Sequence, residues 1–73
     1  MTGEKKKGVV KWFNDRKGYG SIEKKNGAYV FAHYSEIIKD GFKTLPEGAQ
    51  VEYVEIVHSS GALAALEIKE IKN

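Results

Sequence analysis

The side chains best able to do chemistry in this chain are rings and cations rather than nucleophiles. Tyr19, Tyr29, Phe31, His33 and Tyr34 cluster in one stretch, Trp12 and Phe13 stand just before it, and Lys11, Arg16, Lys17 and Lys24 flank the group in sequence. Rings can stack on nucleobases and cations can neutralise phosphates, which together are what sequence-tolerant binding of a single strand requires. Covalent catalysis has little footing, because Ser21, Ser35 and Ser59 lack a Gly-framed nucleophile elbow. The two histidines, His33 and His58, are far apart in sequence and there is no Cys, so neither a metal cluster nor a disulfide is expected. Gly18-Tyr19-Gly20 lacks both the G-K-S/T ending of a phosphate loop and a helix after it. The expectation is a binding protein with no catalytic residue, metal or cofactor.

Those rings need a scaffold, and the chain offers strands. Five β-rich runs separated by Gly-containing turns are expected at Lys7–Asn14, Tyr19–Lys24, Ala28–Tyr34, Gln50–His58 and Ala62–Ile71. This pattern predicts an all-β barrel or sandwich. In the fifth run, A-L-A-A-L-E-I-K-E-I has helical propensity, but Ala64, Leu66 and Ile68 also alternate with Ala65, Glu67 and Lys69 as a half-buried strand would. A barrel needs that strand to close. The one long connection, residues 37–48, carries a turn signal at Pro46 and Gly48.

Parity decides how the second and third runs pair. A two-residue Asn26-Gly27 turn would oppose Ser21 to Ala32 and Glu23 to Val30, mixing polar and apolar positions. A three-residue turn, Lys25-Asn26-Gly27 with Gly27 left-handed, pairs Glu23 with Tyr29, Ser21 with Phe31 and Tyr19 with His33. One face then holds Tyr19, Ser21, Glu23, Tyr29, Phe31 and His33. The other holds Gly20, Ile22, Val30 and Ala32, a set suited to a core. Rings opposite the aliphatic face form the exposed apolar patch that a small monomer tolerates mainly as a binding site.

Charge supports the same reading. The net charge of +2 divides unequally: residues 1–25 carry eight cations and three acids, and the rest carry four cations and seven acids. A segregated basic half suits a polyanion. At 73 residues, with no Cys, the chain must rely on packing alone. No apolar stretch approaches the roughly 20 residues that span a bilayer. The N-terminal lysines, Lys5, Lys6 and Lys7, lead into a strand rather than an apolar signal segment, so a cytoplasmic protein without membrane contact is expected.

K-G-V-V-K-W-F-N, K-G-Y-G-S-I, V-F-A-H-Y and D-G-F-K-T-L-P-E-G, in that order and spacing, closely resemble the cold-shock domain over nearly the whole chain. The resemblance implies a five-stranded antiparallel OB-type Greek-key barrel, with residues 1–73 forming one such domain. It also implies binding of single-stranded RNA and DNA, with a pyrimidine preference, and an RNA-chaperone role. Carried over residue by residue, the binding face is Lys11, Trp12, Phe13, Tyr19, Phe31, His33, Tyr34 and Phe42, with Lys17 on phosphate.

Four positions depart from the family pattern. Ser21 stands where the family usually has Phe, which removes one stacking platform worth about 1–3 kcal/mol per base. Tyr29 stands where Asp is common. As a diagonal neighbour of Ser21 on the same face, it is expected to supply the missing stacking surface. The turn H-S-S-G lacks a cation that relatives often place there, and Ala32 replaces the usual Val.

Adjacent strand residues face opposite ways, so one of Trp12 and Phe13 is expected in the core unless a bulge exposes both. Tyr53 alternates with Val51 and is expected inside the barrel. Two competing uses of an aromatic face stay open on the residues alone. A groove for a proline-rich or methylated peptide would usually carry acids for a cationic ligand, whereas the half holding Trp12 and Tyr19 is basic. A homodimer through the rings is the other, against the monomer expected here.

Overall fold

The structure is a computed structural model that describes residues 5–39, 41 and 43–71. Its elements are β1 (Lys5–Asn14), β2 (Tyr19–Lys24), β3 (Tyr29–His33), a 3-10 turn (Tyr34–Glu36), β4 (Gln50–Val57) and β5 (Leu63–Glu70). The strands close into a barrel in the order β1-β2-β3-β5-β4. The expected five-stranded OB-type barrel is observed, with strand ends shifted by one or two residues. β1 begins at Lys5 because Lys5 to Val9 pair with β4, from Val54 to Gln50.

One detail of the expectation is corrected. The barrel is not antiparallel throughout: β3 and β5 run parallel, pairing Phe31 with Ala64. Alternation of direction cannot be sustained around a closed ring with an odd number of strands, so five strands must include a like-directed pair. That seam is short and is extended by an Ile37–Ile68 bridge and by Ile38 N–H donating to the Ile68 carbonyl at 2.7 Å.

The β2–β3 hairpin adopts the three-residue turn. Glu23, Ser21 and Tyr19 face Tyr29, Phe31 and His33, and Gly27 takes φ 89°, a conformation that side chains disfavour. Asn26 Oδ1 accepts from Ala28 N–H at 3.0 Å and steadies the turn.

Inward positions form one core of Val10, Ile22, Val30, Ala32, Val51, Tyr53, Ala65 and Ile68, with Ile37 and Leu45 folded over from the long connection. Tyr53 is buried as expected, but its hydroxyl has no hydrogen-bond partner among the described residues. Burial, and then the charge of Glu55, raise its pKa above the ordinary tyrosine value of 10.0.

β5 does not alternate as its sequence suggests. Ala65 and Ile68 are buried, an odd spacing that strict alternation forbids. The reason is a bulge: Glu67 takes φ 51°, and Glu67 and Ile68 together oppose Tyr53. The extra residue bends the strand and reverses its inward phase. Helical propensity here loses to the two neighbouring strands that need a partner.

Both the bulge and the buried phenol can be tested by substitution. Glu67→Gly should raise stability by about 0.5–1 kcal/mol in urea unfolding, because glycine relieves the left-handed strain while loosening the unfolded chain. Tyr53→Phe should be neutral or stabilising by up to about 1 kcal/mol, since it deletes an unpaired buried hydroxyl. The tyrosine proton is held more tightly folded than unfolded, so the parent should lose stability as pH climbs past 10.0 towards the folded value. The Tyr53→Phe variant should lack that loss, as read by thermal unfolding across alkaline pH.

Candidate nucleic-acid interface

The interface begins with a second bulge, in β1. Val10 pairs with Ile22 and Trp12 with Ser21, leaving Lys11 as the extra residue. Val10 points into the core, while Lys11 and Trp12 both face out. The loop before β4 staples this bend: Val10 N–H donates to the Ala49 carbonyl, and Gly48 N–H donates to the Val10 carbonyl, each at 2.8 Å. Beyond the bulge, Phe13 is half-buried, packs on the core and lies over Gly20. A Cβ on Gly20 would come within 2.8 Å of the Phe13 Cα and 2.6 Å of its ring. Of the expected Trp12–Phe13 pair, therefore, Trp12 is the outward ring and Phe13 its support.

From Trp12 the rings run unbroken across three strands and into the 3-10 turn. Trp12 meets Tyr19 edge-on at 5.8 Å between centroids, and Tyr19 stacks near Phe31 at 6.0 Å. Phe31 lies 6.3 Å from His33, and His33 lies 4.7 Å from Tyr34. Trp12, Phe31 and Tyr34 are 43%, 48% and 49% exposed, so the row turns nearly half its surface to water. Tyr29 is 54% exposed and stands beyond Ser21, outside the ring-to-ring chain. Phe42, also expected on this face, lies outside the described residues.

Backbone contacts fix the Tyr34 end. Gly18 N–H donates to the Asn14 carbonyl at 2.7 Å, and Asn14 Oδ1 accepts from Arg16 N–H at 3.0 Å and Lys17 N–H at 2.9 Å. The Gly18 carbonyl accepts from Tyr34 N–H at 2.8 Å, and the Tyr34 ring rests directly on Gly18, where a side chain would collide. His33 Nδ1 accepts from Ser35 N–H at 3.3 Å, and Ser35 Oγ lies 2.8 Å from the same nitrogen. In the neutral ring this leaves the proton on Nε2, a donor at the edge of the ring row.

Cations frame the rings. A cleft lined by Asp15, Arg16, Lys17, Tyr34 and Lys43 borders the Tyr34 end, and Thr44 Oγ1 donates to the Asp15 carboxylate within it. Lys43 is a contributor that the sequence reading did not select. Only the long connection brings it there, and its Nζ donates to the Ile37 and Lys39 carbonyls at 3.2 and 3.1 Å. Lys24 belongs elsewhere: parity with Ile22 turns it towards the barrel end, where Nζ lies 2.8 Å from Glu55 Oε1. Lys5, Lys7 and Lys25 gather around that same end. Among the described residues, no three His, Asp or Glu side chains converge as metal ligands. No described helix is long and apolar enough to cross a membrane.

A barrel with an outward ring row and basic margins defines a nucleic-acid-binding class, and similarity to known proteins makes the class specific. Residues 6–71 match the family described as the "'Cold-shock' DNA-binding domain". The chain is 48% identical over 62 residues to the cold shock-like protein CspC of Bacillus cereus, covering 85% of this chain and 95% of that protein. It is 52% identical over 58 residues to the cold shock protein CspC of Bacillus subtilis (strain 168), covering 80% and 88%. Among solved structures, drosophila Unr CSD456 superposes with a TM-score of 0.73 at 20% identity, over 96% of this chain and 28% of that one, and so matches in fold. The chain belongs to the cold-shock domain family, whose activity is nucleic-acid binding.

The geometry makes Gly20 a sensitive position. Gly20→Ala should cost about 1–3 kcal/mol in denaturant unfolding, because the methyl group pushes on Phe13 and on the Trp12 backbone. The emission of Trp12, the only tryptophan, should shift in the same variant.

Proposed function

We propose that this chain, acting as one cold-shock-type unit, binds single-stranded RNA and DNA by stacking successive bases on its outward rings. The observation that carries the reading is the continuous row from Trp12 to Tyr34, with Lys11, Arg16 and Lys17 along its margin. Rings that have forgone burial can regain it against base faces, and each base stacked this way is worth about 1–3 kcal/mol. A duplex hides those faces, so unpaired strands are preferred. Pyrimidine-rich strands suit closely spaced rings best.

The action is passive. Holding unpaired strands lowers the stability of competing secondary structure by mass action, without ATP or any bond made or broken. The protein is a non-enzymatic, cofactor-free monomer of the cytoplasm in this reading. Trp12, Tyr19, Phe31, His33, Tyr34 and Phe42 present stacking or edge contacts, Phe13 contributes through its packing beneath them, and Lys11 and Lys17 hold phosphates. Tyr29 adds a stacking surface beyond Ser21.

Titration of Trp12 fluorescence with an oligothymidylate, its duplex with oligoadenylate, and the single strand at two salt concentrations tests this. Quenching by the single strand, weakened by salt, is expected. Lys17→Ala should flatten the slope of log K against log salt by roughly 0.7, the value of one phosphate contact on a single strand. Phe31→Ala should weaken binding at every salt concentration, and Tyr29→Ala should do so by a smaller margin. A parent that binds duplex as tightly as single strand would overturn the stacking reading; a Tyr29→Ala protein as tight as the parent would remove Tyr29 from it.

A further inference from the structure

Ser21 sits in the middle of the ring face without a ring of its own. On one side its partner is Trp12 and on the other Phe31, so the cross-strand row reads ring, hydroxyl, ring. Tyr19 closes one end of the resulting depression and Tyr29 the other, while Ala62 and Leu63 border it from the β4–β5 turn. That turn is fixed in place: His58 N–H donates to the Ala62 carbonyl at 2.7 Å, and Gly61 N–H donates to the His58 carbonyl at 2.8 Å. The Ser21 hydroxyl is half-buried at the floor and has no hydrogen-bond partner among the described residues.

We infer that this depression is a slot for a single nucleobase, inserted on edge between Trp12 and Phe31, with the Ser21 hydroxyl as its hydrogen-bond partner. The inference rests on the single-strand reading above and goes beyond it, because stacking alone gives Ser21 no role. Spacing supports it. Backbones on either side of one intervening strand lie about 9–10 Å apart. Two aromatic faces that sandwich a third need about 7–8 Å, at ordinary carbon–carbon contact distances. One base fits and two do not. Side chains stand roughly perpendicular to a sheet, so a base held between these rings points an edge at the floor. There it meets a group that can both donate and accept, and a thymine or uracil edge offers both a donor and acceptors.

A flat base lying across the ring row would behave differently. It would present its face to Ser21 and leave the hydroxyl unpaired, making the residue energetically silent. The two arrangements can therefore be told apart by asking whether the hydroxyl senses one base edge.

The experiment scans an oligothymidylate of about eight nucleotides, within the span of one OB barrel, replacing one thymine at a time with difluorotoluene, which keeps the shape but cannot form the same hydrogen bonds. Affinities are read by Trp12 quenching for the parent, Ser21→Ala and Ser21→Phe. In the parent, one position should show a loss of about three- to tenfold, the value of one net hydrogen bond. Ser21→Ala should weaken the all-thymine strand by the same factor and abolish the penalty at that position alone. Ser21→Phe should fill the slot, keep the strand bound and show no position-specific penalty. An isostere profile that is the same in Ser21→Ala as in the parent would overturn the slot while leaving the stacking face intact. Failure of the parent to bind the all-thymine strand would instead overturn the single-strand reading, and the slot with it.

Discussion

Everything in this molecule depends on closing five short strands around a very small interior. A sheet closes only if its strands bend and tilt, and each sharp bend here is made by one extra residue, Lys11 in β1 and Glu67 in β5. The interior that results takes valines, isoleucines, alanines and the one ring of Tyr53. It has no room for the rest. Trp12, Tyr29, Phe31 and Tyr34 are turned outward by strand parity, and the bulge at Lys11 is what keeps Trp12 on the side opposite Val10. The binding face is thus a by-product of closure as much as an addition to it.

That arrangement has an energetic consequence. A fully buried aromatic contributes on the order of 1.5–3 kcal/mol relative to an exposed one, and four rings left near half exposure forgo part of that. For a chain of this size the forgone sum is a large share of the few kcal/mol of net stability available. Ring-to-ring contacts at 4.7–6.3 Å recover some of it. The same contacts hold the rings in a fixed array, so a ligand would not have to order them first. The half-buried Lys24–Glu55 pair at the barrel end adds little beyond satisfying two charges that the fold has already taken from water.

The legibility of these features in the sequence followed the bulges. Between Tyr19 and His33 the strands run without interruption, so alternation alone placed every side chain of the hairpin on its correct face and selected the turn. In β1 and β5 one inserted residue reverses the phase. Nothing in K-W-F or L-E-I states that a residue will be skipped, because the demand comes from closure rather than from local preference. The glutamate in the left-handed conformation at 67 is the extreme case, since a glycine there would have announced the bulge. Parallel β3–β5 pairing was hidden for a related reason: it follows from strand number and order, which no single segment encodes. Lys43 was missed because the long connection folds back on the Asn14–Gly18 loop only through tertiary contacts.

Charge then gives the face a direction. The excess of cations in the first third of the chain becomes spatial because β1, the Asn14–Gly18 loop and β2 are neighbours, while most acids fall on β4, β5 and the connections. Closure wraps these halves around one another, so the acids do not cancel the basic margin where the rings lie: Asp15 is engaged by Thr44, and Glu55 by Lys24. A polyanion approaching from solution is steered towards the β1–β2 side before any ring is touched. Rings can then act on what electrostatics has already brought near, and the hydroxyl at Ser21 is the one polar interruption in the surface it meets there.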